Sequence, residues 1–363
     1  MKLLLVAGAR PNFMKIAPII RALENCKKNN SEYRLVHTGQ HSDFNMSEIF
    51  FNDLGIPDPD YLLNTGKGSH SEQTAKIMIA FEKICLNENP DVVLVVGDVN
   101  STLACSIVAK KLFIKVAHVE AGLRSFDLSM PEEINRMVTD SITDYFFTTE
   151  ASAKENLIKE GKPADHIHFV GHVMVDNLLY QHDNLLKSDN SELEFAELKK
   201  RLGQYIFVTF HRPSNVDVKK KLMEIIGALN EIAKSTPVIF PVHPRTKKML
   251  KKFNVKCSDN IILLSPLSFK NSLYLWKDAL SVFTDSGGLQ EETTVMGVPC
   301  FTIRDNTERP VTVKEGTNII IGTSGDAIIK EYQKLRSGIK KRGSVPDLWD
   351  GKAAERIIDV LYK

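Results

Sequence analysis

The feature that most constrains this chain is a short apolar run, rich in Val, Ile, Leu and Phe, that recurs along its length with amphipathic stretches between. The first six runs are LLLVAG (3–8), YRLVHTG (33–39), DVVLVVGD (91–98), VAHVEAG (116–122), YFFTT (145–149) and HFVG (168–171). Helical periodicity follows at 14–23, 44–54 and 101–112. Runs apolar on both faces and separated by helices predict a parallel sheet covered on each side. The stretch 183–204 is polar and charge-rich. The alternation then resumes with IFVTFH (206–211), PVIFPVH (237–243), NIILLS (260–265), LSVFTDS (280–286), PCFTIR (299–304) and NIIIG (318–322). The expectation is an α/β chain of two Rossmann-like domains with parallel sheets, facing a cleft and joined by a linker near 175–200. The first domain covers 1–172 and takes back an amphipathic terminal helix, AAERIIDVLYK (353–363); the second covers 173–352. A length of 363 residues suits two domains of about 100–200 residues each.

Composition removes several classes. Lys and Arg number 47 and Asp and Glu 45, a net charge of +2 with no basic stripe, so no nucleic-acid partner is expected. No apolar stretch approaches the ~20 residues that span a bilayer, so no membrane partner is expected either. The start, MKLLLVAGARP, reads as a buried first strand, because it runs into Arg10 and Lys15 without a small-residue cleavage site. The five cysteines (Cys26, Cys85, Cys105, Cys257, Cys300) are odd in number and never form a CxxC pair, which fits a reducing cytoplasm.

Ligands of open parallel sheets bind beyond the carboxyl ends of the strands. In the second half, TDSGGLQEE (284–292) ends a strand with Ser286, Gly287 and Gly288 and opens a helix. Glycines let a ligand approach the backbone, and a helix start offers unpaired N–H groups and a positive dipole end, which suits a diphosphate. Glu292, one turn into that helix, can take two ribose hydroxyls. RDNTERP (304–310) brings Arg304, Glu308 and Arg309 to the same edge, and the planar fork of Arg suits phosphate. TFHRP (209–213) and PVHPRT (241–246) add His211, Arg212, His243 and Arg245, a further pointer to an anion.

The first half presents carboxylates instead: Asp98 in GDVNST, Glu120 in HVEAGLRS, and Glu132 and Glu133 in MPEEINR, with Arg124 and Arg136 in the same motifs. Carboxylates gathered in a cleft repel one another and lose solvation, so at least one should titrate nearer neutrality and serve as proton donor or acceptor. Pro131 starts a helix there, and of the two glutamates Glu133 is expected to face solvent. GxGxxG is absent, so no NAD is expected, and GxxxxGK[ST], HExxH and GxSxG are absent too. His166, His168 and His172 lack metal-ligand spacing, so no metal is assigned.

Together these motifs resemble the UDP-N-acetylglucosamine 2-epimerase family, in particular its non-hydrolysing branch. The resemblance spans nearly the whole chain, through GARPNFMKIAP (8–18), HTGQH (37–41), GDVNST (97–102), HVEAGLRSFD (118–127), PEEINR (131–136), TFHR (209–212), DSGGLQEE (285–292) and RDNTERP (304–310). It implies the two-domain GT-B fold of one large class of nucleotide-sugar glycosyltransferases, and a homodimer. It also implies interconversion of UDP-GlcNAc and UDP-ManNAc for cell-surface polysaccharide precursors. On this reading UDP is eliminated from C1 to leave 2-acetamidoglucal and then adds back. Arg10, Ser286, Gly287, Gly288 and Glu292 would hold UDP, with His211 beside the phosphates among the catalytic groups. Arg212, His243 and Arg309 would add substrate contacts. Lys15, Asp98, Glu120, Glu132 and Arg136 would surround the sugar, with Asp98, Glu120 and Glu132 the acid and base candidates.

This chain also departs from the family pattern. Many members carry Glu at Asn12 and Asn at His172. Gln40-His41-Ser42-Asp43 and Gly68-Ser69-His70-Ser71 differ from members activated by UDP-GlcNAc, which argues against such activation. Ser272 stands where an aromatic often stacks on uracil, leaving Phe269 or Tyr274 as substitutes. Relatives acting on a UDP-diacetamido uronic acid share the PNF and DVNST variants, which makes that sugar the alternative substrate. A hydrolysing epimerase and a GT-B glycosyltransferase are the remaining alternatives.

Overall fold

The structure is a computed structural model and describes residues 1–26, 32–40, 48–66, 68–187 and 194–363. The chain divides into two compact units, Met1–Asn177 with Asp347–Lys363, and Leu178–Pro346.

In the first unit β1 (Lys2–Ala7), β2 (Glu32–His37), β3 (Tyr61–Leu62), β4 (Val92–Val96), β5 (Lys115–Val119), β6 (Tyr145–Thr148) and β7 (Ile167–Phe169) pair in parallel, in the order β3-β2-β1-β4-β5-β6-β7. Leu3, Leu4, Leu5 and Ala7 are fully buried, as a central strand covered on both faces requires. The two-residue edge strand β3 makes a seventh strand beyond the six expected; it is too short to carry a period. The connections are α1 (Arg10–Asn25), α2 (Glu48–Leu54), α3 (His70–Glu88), α4 (Asn100–Lys111), α5 (Pro131–Ile142) and α6 (Ala151–Lys159). Residues 44–47 of the helix expected at 44–54 lie outside the described residues.

The helix α7 (Val173–Lys187) runs unbroken from the first unit into the second. The linker expected near 175–200 is therefore helical on both sides of 188–193, since α8 (Ala196–Leu202) follows. Its polarity belongs to the exposed face of a helix whose Leu178 and Leu185 are buried.

In the second unit β8 (Ile206–Thr209), β9 (Val238–Pro241), β10 (Ile261–Leu264), β11 (Ser281–Thr284), β12 (Cys300–Thr302) and β13 (Asn318–Ile320) form a parallel sheet in the order β10-β9-β8-β11-β12-β13. Around it lie α9 (Pro213–Val216), α10 (Lys219–Ala233), α11 (Pro244–Phe253), α12 (Phe269–Trp276), α13 (Gly287–Val295), α14 (Pro310–Lys314) and α15 (Gly325–Arg336). The last helix, α16 (Ala353–Leu361), belongs to the first unit. It buries Ala353, Ala354, Ile357, Ile358 and Leu361 in the core cluster that α1 supplies with Phe13, Ile16 and Ile20. Asp176 caps α16 by accepting from the amides of Ala353 (3.2 Å) and Ala354 (2.7 Å).

Five helices begin with proline in the first two positions, at Pro11, Pro131, Pro213, Pro244 and Pro310. Proline lacks the N–H that a first turn leaves unpaired, and Met130, Arg212 and His243 before it are extended. In four of the five the preceding residue is basic: Arg10, Arg212, His243 and Arg309. Cations are thus set where a strand end becomes a helix start.

Candidate active site

Strand order reverses between β1 and β4 in one sheet and between β8 and β11 in the other. Such switch points open the crevice in which α/β sheets bind ligands. In the first unit Asn12 fastens it. Its Oδ1 accepts from the amides of Gly8 (3.2 Å) and Ala9 (3.0 Å), and its Nδ2 donates to Val96 O (3.2 Å), with the side chain buried. One helical turn on, Lys15 Nζ meets Glu120 Oε2 at 2.5 Å. Gly97 has φ +67°, and a Cβ there would stand 2.9 Å from Lys15 Nζ and 3.6 Å from Glu120 Oε2. Glu120 itself has φ +73° and is buried. A left-handed conformation is costly for a residue with a side chain, and such strain gathers at functional positions.

Asp98, partly buried, accepts from Arg136 Nη1 at 2.5 Å. The reading of Glu133 as the solvent-facing member of its pair is corrected: Glu133 is fully buried and Glu132 is exposed. The third position of α5 points Glu133 back at the loop before the helix, where it accepts from the amides of Ser125 (3.0 Å) and Phe126 (2.9 Å). It also accepts from Arg136 Nη2 at 2.5 Å. Burial pushes its carboxyl up, but those amides and Arg136 outweigh it and hold the group below the usual range. The first-half acids are thus interleaved with cations, Glu120 with Lys15 and Asp98 with Arg136. Arg124 is spoken for elsewhere, by Asp140 and Glu160, each at 2.7 Å. Gln40, His70, Gln73, Asp98, Asn100 and Glu132 line a polar cavity of about 330 Å³. His41, Ser42 and Asp43 lie outside the described residues. Arg10, exposed, is the first residue of α1.

In the second unit the fully buried Asp285 holds the loop after β8. It accepts from the amides of His211 (3.0 Å) and Arg212 (2.9 Å) and from Asn215 Nδ2 (3.0 Å). Arg212 donates through Nε to Asp285 O and through Nη2 to Glu308 (2.9 Å), and Arg304 pairs with the other Glu308 oxygen at 2.7 Å. Against the upward push of burial, these arginines and Arg309 bring Glu308 down to about 2. A Cβ on Gly287 would stand 3.3 Å from Glu308 Oε1, so a side chain there would press on the Glu308 carboxylate. The rings of His211 and His243 lie 5.0 Å apart, and desolvation together with that neighbour holds His243 below the usual histidine value. Arg245 turns instead to Asp217.

The helix α13 starts at Gly287 with Ser286 as its N-cap, without a side-chain cap bond and without an acid in its first turn. This is an open N–H terminus of the kind that receives anions. Arg309 pairs with Glu291. Beside that pair Glu292, half-buried, is pushed up to about 8 by burial and by Glu291. Glu292 is thus a carboxyl of the second unit that titrates near neutrality. Of the two aromatics considered for uracil, Tyr274 is buried with Lys199 Nζ 4.1 Å over its ring, and Phe269 packs half-buried on the core.

Each unit therefore collects its own set. Arg10, Lys15, Asp98, Glu120, Glu132 and Arg136 stand at the ends of β1, β4 and β5 and on the first two turns of α1 and α5. His211, Arg212, His243, Ser286, Gly287, Gly288, Glu292 and Arg309 stand at the ends of β8, β9 and β11 and the starts of α13 and α14. Residue-by-residue reading misplaced Glu133, gave Asp285 no role of its own and missed His118 and Asp140. Pro131 was the usable signal for Glu133, since it fixes where α5 begins.

Residues 24–362 match the family described as UDP-N-acetylglucosamine 2-epimerase. A UDP-N-acetylglucosamine 2-epimerase of Methanocaldococcus jannaschii is 45% identical over 99% of both chains. The UDP-2,3-diacetamido-2,3-dideoxy-D-glucuronate 2-epimerase of Pseudomonas aeruginosa is 39% identical over 100% of both. The crystal structure of the M. jannaschii epimerase in complex with UDP-GlcNAc and UDP superposes with a TM-score of 0.86 at 43% identity, covering 100% of this chain and 99% of that one. A lipopolysaccharide outer core galactosyltransferase, 14% identical, shares the fold alone at a TM-score of 0.57 over 99% of this chain and 100% of its own. Matched along nearly its whole length by that description and by relatives well above 30% identity, the chain belongs to the UDP-N-acetylglucosamine 2-epimerase family.

Proposed function

We propose that this protein interconverts UDP-GlcNAc and UDP-ManNAc without hydrolysis. The observation that carries the reading is the meeting of Lys15, Glu120 and Gly97 beside the Asp98–Arg136 pair, which gives two acids on adjacent turns, each paired to a cation. The C2–H of an N-acetylhexosamine has no adjacent carbonyl to acidify it. It becomes removable only as the C1–O bond breaks and the electron pair leaves with UDP. A carboxylate takes the C2 proton, a C1=C2 double bond forms, and 2-acetamidoglucal remains beside UDP. In the return step a second acid protonates C2 on the opposite face while a UDP phosphate oxygen attacks C1. Arg10, His211, Arg212, His243 and Arg309, with the open start of α13 at Ser286, Gly287 and Gly288, stabilise the departing diphosphate charge. Glu292 holds the ribose. Lys15 and Arg136 orient Glu120 and Asp98, and Glu132 completes the acid set.

Incubation with UDP-GlcNAc in D₂O tests the reading. Deuterium at C2 of both UDP-sugars is expected; free ManNAc as the sole sugar product would establish a hydrolysing enzyme. The Pseudomonas relative at 39% identity supports a second reading, a UDP-diacetamido uronate as substrate. Exchange from that sugar alone would establish it. The family resemblance also leads us to propose a homodimer working in the cytoplasm, upstream of cell-surface polysaccharide assembly. Among the described residues no helix is long and apolar enough to cross a membrane.

A further inference from the structure

We propose that His118, with Asp140, is the positioning residue that sets Asp98, Glu120 and the start of α5 in register for the reaction. The inference rests on the epimerase reading above and deepens it. His118 is fully buried near the end of β5, two residues before Glu120. Its Nε2 meets Gly97 O at 2.9 Å, the carbonyl next to Asp98, and its Nδ1 meets Asp140 Oδ1 at 2.7 Å. Gly97 N also donates to Val119 O, so the left-handed Gly97–Asp98 turn is clipped to β5 at two points. The second oxygen of Asp140 accepts from Gly122 N (3.0 Å) and Arg124 Nη1 (2.7 Å), on the loop that follows Glu120.

Asp140 lies one turn beyond Arg136 on α5, the helix that also carries Glu132. One imidazole thus joins the turn bearing Asp98, the strand bearing Glu120 and the helix bearing Glu132 and Arg136. A carbonyl only accepts, and the Asp140 carboxyl is held low by His118 and Arg124 against the push of burial. The His118 ring is therefore held at both nitrogens, by Gly97 O and by Asp140, and cannot turn without losing one contact. Neither His118 nor Asp140 is among the groups proposed to hold UDP.

The test compares His118→Gln and Asp140→Asn with the wild type and with Asp98→Asn. A displacement of about 1 Å costs an enzyme up to about 100-fold, so each variant should lose about 10–100-fold in kcat. UDP affinity by calorimetry and KM should stay within about 2-fold. Because His118 acts through Asp98, adding His118→Gln to Asp98→Asn should cost less than about 2-fold more, whereas independent effects would multiply. A kcat for His118→Gln within about 2-fold of wild type overturns the inference, as does full multiplication in the double variant. So does failure of both single variants to fold, which would make the network plain core. If instead the wild type exchanges no deuterium from either UDP-sugar, the epimerase reading fails. A crystal structure of His118→Gln then tests the positioning itself, with a shift of Asp98 away from Arg136 expected and an unmoved turn overturning it.

Discussion

Arg136 divides its guanidinium between two carboxylates of unlike exposure. Nη1 meets the partly open Asp98 at 2.5 Å, while Nε and Nη2 meet the fully buried Glu133 at 3.1 and 2.5 Å. Two nitrogens held on the one oxygen Oε2 of Glu133 fix the direction of the single contact to Asp98. Glu133 is therefore expected to matter to catalysis without touching substrate. Glu133→Gln should lower kcat by about 10–100-fold. Weakened acceptance from Ser125 and Phe126 should cost about 1–3 kcal/mol of stability by urea denaturation. Unchanged turnover would remove Arg136 from the positioning of Asp98.

Asp98→Asn keeps the size of the side chain but removes its proton chemistry. Turnover should fall by about 10²–10⁴-fold while UDP binds as in the wild type. Isothermal titration with UDP and the C2 deuterium assay measure the two halves of that statement, and near-normal exchange would strike Asp98 from the acid and base groups.

Glu292 carries a pH signature. Its folded pKa, about 8, exceeds the ordinary carboxylate value of 4.5, so the folded protein favours the protonated form. The contribution to stability is fully present below pH 4.5 and is lost as pH rises through about 8. Glu292→Gln should leave Tm unchanged near pH 4.5 and raise it increasingly between pH 5 and 8.5. Above pH 8, where Glu292 is ionised, the same variant should weaken UDP about 10–100-fold, since a hydrogen bond to a charged group contributes about 1.5–3 kcal/mol. A Tm difference that is flat with pH would contradict this account.

Gly97→Ala forces a Cβ to within 2.9 Å of Lys15 Nζ at φ +67°. The left-handed conformation costs about 1–2 kcal/mol for an L side chain, and Lys15 must shift from Glu120. Lower Tm together with lower kcat is expected. A loss of stability alone would mean that Lys15 has no part in orienting Glu120.

Asp176→Ala removes the cap from α16 and should cost about 1–2 kcal/mol. Hydrogen exchange at residues 353–361 should then rise before that of β1. Equal protection in both proteins would show that the apolar contacts with α1 suffice.

Much of this molecule was readable in one dimension. Apolar runs such as LLLVAG and DVVLVVGD report burial on both faces, and parallel strands follow from that alone. The basic-proline junctions at Arg10, Arg212, His243 and Arg309 mark where helices start, because proline's fixed φ and missing N–H are local properties. Partner choice is not local. Glu132 and Glu133 are adjacent and chemically alike, yet the helix turns one toward Ser125, Phe126 and Arg136 and the other toward solvent. Asp98, Glu120 and Asp140 come from three separate elements, and only the registration of β4 against β5, with α5 packed alongside, brings His118 between them. Glu292 was driven up by burial and a neighbouring acid, while Glu120 and Asp98 found Lys15 and Arg136 as partners, and neither outcome is written in the local sequence. Hydrophobic period determines the architecture, whereas ion-pair identity depends on which side chains the finished packing leaves within reach.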